Sequence, residues 1–60
     1  MSDAVTYSRI SAHADIIRAI LESHHLQWMP HDMRLIYRRM IQDANRLEIM
    51  ADKLSEAAQD

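Results

Sequence analysis

Three histidines crowd one short stretch of the chain, His24, His25 and His31, with Glu22 and Asp32 beside them. Imidazoles and carboxylates gathered this closely are the raw material of a metal site. Their spacing argues against one. His24 and His25 are adjacent, so a helix points them in different directions, and no two of the three stand four apart as a helical zinc site prefers. They read as solvated turn histidines with modest pH sensitivity, and no metal is expected. His13, three residues before Ile16 and four before Ile17, reads as a histidine at the boundary of an apolar stripe.

Covalent and acid-base chemistry finds little else to use. The chain has no Cys to supply a thiol and no Gly to shape an oxyanion or phosphate loop. No readable motif sets a serine beside a histidine and a carboxylate. The sequence therefore predicts no enzyme and no cofactor.

Charge suggests partners instead. Arg34, Arg38, Arg39 and Arg46 crowd the middle of the chain, whereas Glu48, Asp52, Glu56 and Asp60 follow against a single Lys53. An arginine cluster can hold phosphates, so a dimeric helical nucleic-acid regulator is the alternative reading. It lacks an aromatic stacking platform and a short recognition helix, and the net charge is −2. Asp43 interrupts an otherwise apolar row and stands four after Arg39 and three before Arg46. That spacing predicts a flanking ion pair, with a role in register or partner choice as the sharper possibility.

These groups must be positioned by helices. Ala, Ile, Leu, Met, Arg, Glu and Gln dominate, and turn residues are scarce, which makes the chain all-α. Ile10, Ala14, Ile17 and Leu21 step by four, three and four, with Ile16 and Ile20 widening the stripe. Asp15, Arg18 and Glu22 fall on the other side as a solvated face. Ser2, Asp3, Thr6 and Ser8 are all competent caps, and the first helix is expected over about 8–24. Pro30 breaks the pattern at Met29 and suits the first position of a second helix, with Asp32 in its opening turn.

That second helix, about 30–58, carries Met33, Ile36, Tyr37, Met40, Ala44, Leu47, Met50, Ala51, Leu54 and Ala58 at steps of three and four. A link of a few residues makes the two helices an antiparallel hairpin. Their expected lengths, about 25 Å and about 43 Å at about 1.5 Å per residue, do not match. The first helix would reach only to about Arg46 or Leu47. Met40 and Leu47 would form the hairpin core, and Met50 and Leu54 would overhang it, needing a second chain.

Sixty residues make one domain with little core of its own. The prediction is a homodimer with a four-helix core, or docking on a larger partner. Its function class is a non-enzymatic protein-protein interaction module: a small adaptor, chaperone or inhibitor of a regulatory protein. The expected partner-binding residues are Met50, Leu54 and Leu47, with Tyr37, Arg34 and Arg38 setting specificity at the rim. Trp28 is expected to plug the open end of the hairpin, or else to serve as a partner hot spot. Neither a leader peptide nor a membrane span is legible, and the absence of Cys fits a reducing cytoplasm. The hairpin outline is common to many compact regulators and carries no family-specific motif.

Overall fold

The computed structural model describes residues 2–24 and 26–59. Two helices, α1 over Asp3–Glu22 and α2 over His31–Ala58, are joined by a 3-10 turn at Leu26–Trp28. They pack antiparallel: Ser55 Oγ donates to the Ala4 carbonyl at 3.4 Å, Ser11 Oγ donates to Asp52 Oδ1, and Arg18 donates to Asn45 Oδ1 at 3.1 Å. The hairpin measures 47 × 14 × 12 Å.

α1 begins five residues earlier than the expected start at 8. Among the candidate caps it is Ser2 that acts, its hydroxyl accepting from the Val5 amide at 3.3 Å while its carbonyl accepts from the Thr6 amide at 3.2 Å. A cap satisfies amides that the first turn leaves free, and Asp3 adds a negative charge where the helix dipole favours it. The helix stops at Glu22, and Ser23 closes it with its amide on the Ala19 carbonyl.

At the turn, the Met29 amide bonds the Leu26 carbonyl at 3.0 Å. Pro30 sits one position before its expected place. It is the N-cap of α2, with φ −55° and ψ 151°, and its carbonyl accepts from the Arg34 amide at 2.9 Å. A proline has no amide to lose and cannot cap with its side chain. Arg34 compensates from the other side, its guanidinium donating to the Met29 carbonyl from Nε at 3.3 Å and from a terminal nitrogen at 3.1 Å. His24 and Tyr37 stack at 5.3 Å between ring centroids, holding the end of α1 against α2.

The most deeply buried places between the helices are held mainly by small residues. On α1 the buried or half-buried positions are Ala4, Tyr7, Ser11, Ala14, Arg18 and Leu21; on α2 they are Arg34, Tyr37, Ile41, Ala44, Glu48, Ala51, Ser55 and Ala58. Both series advance by alternating threes and fours, the seven-residue pattern of helices packed side by side. Ala14 and Ala51 are the most deeply buried, at 1% and 2% exposure.

Two expectations are overturned here. Met40 and Leu47 do not form the hairpin core: they are 47% and 42% exposed, because the contact line runs through their neighbours Ile41, Ala44 and Glu48 instead. Nor does α2 overhang from Leu47 onward. The early start of α1 carries it to Ser55, leaving only about one turn of α2 beyond it.

One charged cluster lies in this seam. Arg18, expected on a solvated face, pairs with Asp15 on its own helix and reaches Glu48 at 3.4 Å and Asn45 at 3.1 Å on the other. The hydrogen bond to Asp15 and the charge of Glu48 raise the Arg18 pKa above its usual value, so it stays charged at every relevant pH. Glu48 Oε2 is buried and takes no hydrogen bond among the described residues, which leaves the Arg18 charge as its compensation. Sliding α1 by one turn would strand both charges, so the cluster favours a single register.

Two outcomes are expected. Ala51→Leu overfills the seam and should cost about 1–3 kcal/mol, lowering the thermal midpoint by several degrees in a circular dichroism melt at fixed chain concentration. An unchanged midpoint would mean the seam has slack that the burial of Ala51 denies. Arg18→Gln should lower the urea midpoint more than Arg39→Gln does, since the Arg39–Asp43 pair is an exposed i, i+4 contact worth about 0.3–0.5 kcal/mol. Equal effects would remove Arg18 from the register argument.

Candidate interaction face

Most of the large apolar residues stand beside the seam rather than in it. Ile10 and Ile17 each immediately precede a seam residue of α1, namely Ser11 and Arg18. Met33, Met40, Leu47 and Leu54 each immediately precede one of α2, namely Arg34, Ile41, Glu48 and Ser55. In an antiparallel pair, the positions just before the seam on both helices lie on the same side, since a two-fold rotation relates the two helices. All six therefore share one face of the hairpin.

That face is continuous and open. Ile17 is 49% exposed and Leu54 50%, although each is a residue that folding usually hides. Shallow grooves run along it, one bordered by Ile10, Ile17 and Leu47, the next by Leu21, Met40 and Leu47, and a third at the turn end by Met29, Met33 and Met40. Ile36 and Met50, further round α2, widen the stripe, with Asp43 between them. His13 edges the first groove, its Nδ1 donating to the Arg9 carbonyl at 2.8 Å, which leaves Nε2 as the acceptor nitrogen in the neutral ring.

The opposite face is more polar. It carries Ser8, Asp15 and Glu22 on α1 and Arg38, Asn45 and Asp52 on α2, with Val5, Leu35 and Ile49 exposed beside them. The chain is thus a flat two-helix layer whose two sides differ in polarity.

The sequence-derived partner residues scatter across this layer. Leu47, Leu54 and Met50 lie on the apolar face. Arg38 lies on the polar one. Tyr37 sits in the seam against His24, and Arg34 is tied to the Met29 carbonyl, so neither forms a rim. Trp28 does not plug the hairpin end: it is 84% exposed, because the His24–Tyr37 stack and the Arg34 bonds already close the turn. Ile10, Ile17, Met33 and Met40 join the face although sequence reasoning set most of them in the core or left them unassigned. The missed signal was the seven-residue recurrence of Ala44, Ala51 and Ala58, which marks the contact line.

The arginines do not form one basic surface. Arg34 is engaged at the turn, Arg39 donates to Asp43 at 3.2 Å, and Arg38 and Arg46 are exposed. The Arg39 contact is the flanking ion pair expected for Asp43. Among the described residues, no three of His, Cys, Asp and Glu gather closely enough to hold a metal ion; His25, part of the histidine stretch, lies outside the described residues. Among the described residues, too, no helix is long and apolar enough to cross a membrane. Compared with known proteins, the chain matches no family model, no curated protein and no solved structure.

Proposed function

We propose that this chain is a non-enzymatic protein-protein interaction module that works by helix packing. Its first partner is a second copy of itself, the two apolar faces closing into a four-helix bundle. Such a bundle would serve as a small adaptor, chaperone or inhibitor of a regulatory protein, and a cysteine-free chain suits a reducing cytoplasm. The observation that carries the reading is the exposed apolar row of Met33, Met40, Leu47 and Leu54 beside Ile10 and Ile17.

Area supports self-association. The hairpin exposes 4826 Å², whereas a compact folded monomer of its 7.0 kDa mass exposes about 4,000 Å². The excess, roughly 800 Å² per chain, is about what each partner contributes to a standard stable interface. A dimer through this face would give the chain the apolar core that its small-residue seam does not supply. The nucleic-acid alternative has less support, since two of its four arginines are engaged within the chain.

Light scattering on the purified chain tests this directly, with a dimer expected at micromolar concentration. Leu47→Asp places a charge at the middle of the face. Each lost Leu contributes about 1.5–3 kcal/mol and a dimer holds two, so the dissociation constant should rise by at least about 100-fold. Ser8→Ala, exposed on the opposite face and neutral, should leave assembly unchanged. A well-folded monomer for the unsubstituted chain would overturn the reading. Copurifying RNA or DNA that is released by added salt would favour the alternative.

A further inference from the structure

The two ends of the hairpin differ in charge. Arg18 and Asn45, bonded at 3.1 Å, mark the level of the middle of α2. On the turn side, residues 18–44 carry four basic and three acidic side chains together with three histidines. On the side of the chain ends, residues 1–17 and 45–60 carry three basic and six acidic ones. The first half has a net charge of +1 with neutral histidines and the second of −3, and together they make the −2 of the whole chain.

Two hairpins can meet face to face about a two-fold axis in two ways. With both turns at the same end, like halves adjoin and the acidic halves repel. With the turns at opposite ends, each positive half adjoins a negative one, and α2 lies along α2 of the second copy. We propose that the second copy docks in this opposed arrangement, turn against chain ends. The inference rests on the self-association proposed above and adds its geometry.

The apolar row suits the same arrangement. Met33, Met40, Leu47 and Leu54 are evenly spaced by seven residues. A two-fold axis between Asp43 and Ala44 sets Met40 of one copy against Leu47 of the other, and Met33 against Leu54. The row is then self-complementary, as a symmetric dimer interface must be. The same axis carries the exposed Trp28 of one copy to the level of the chain ends of the other. Charge complementarity of this kind selects orientation and weakens as salt is added.

Single spin labels read the geometry, because the chain has no Cys and accepts one site at a time. Gln27→Cys lies in the turn and Gln59→Cys at the end of α2, both exposed and off the apolar face. In the opposed arrangement, the label-to-label distance within a Gln27→Cys dimer should be on the order of 40 Å, the length of α2 at about 1.5 Å per residue. A mixture of Gln27→Cys and Gln59→Cys chains should add a distance under about 20 Å, the span of adjacent packed helices. A short distance in the Gln27→Cys dimer alone would overturn the geometry while leaving the dimer intact. No intermolecular distance, together with a monomer in light scattering, would overturn the self-association itself.

Discussion

Alanine and serine along the contact line between α1 and α2 determine most of what the rest of the chain does. Ala14, Ala44, Ala51 and Ser55 take the most deeply buried places beside Leu21, and most of the chain's Ile, Leu and Met stand outside that line. Those residues are displaced by one position, and the seven-residue recurrence repeats the displacement along both helices. An apolar face forms as the geometric counterpart of a narrow seam. Had the seam been Leu-rich, the same composition would have given a hairpin with a core of its own and a mostly polar surface.

Apolar contacts between alanines specify position poorly, since one alanine fits as well as another. Polar groups supply the missing precision. Arg18 links Asp15, Asn45 and Glu48, the Ser55 hydroxyl reaches the Ala4 carbonyl, and Arg34 fastens the turn on the Met29 carbonyl. Each bond adds modestly to stability by itself. Together they fix how far α1 runs along α2, and so where Ile10 and Ile17 stand relative to Leu47.

Existence and type of both helices were legible, as was the break at Pro30, because periodicity and proline act locally. The seam was not. Ala44, Ala51 and Ala58 lie next to Met40, Leu47 and Leu54 on a helical wheel, so a single helix shows one broad apolar stripe. Which part of that stripe meets the other helix depends on the pairing, and pairing is information that neither helix holds alone. The start of α1 was ambiguous for a different reason: Ser2, Thr6 and Ser8 are equally competent caps, and the contact of Ser55 with Ala4 rewards the earliest. Trp28 was assigned to the hairpin end because large rings seldom stay exposed. Arg34 and the His24–Tyr37 stack had already closed that end.

A seam of small side chains also bears on how long a lone copy survives. Alanine contacts remove little apolar area from water, so an isolated hairpin has a shallow free-energy well and opens readily. Proteases cut chains in the open state, and where opening and closing are fast, the rate of loss follows the population of that state. Any surface that covers Ile17, Leu47 and Leu54 lowers that population by mass action. On the proposed reading, lifetime would then be a property of company: copies that find no partner would open more often and be cut first.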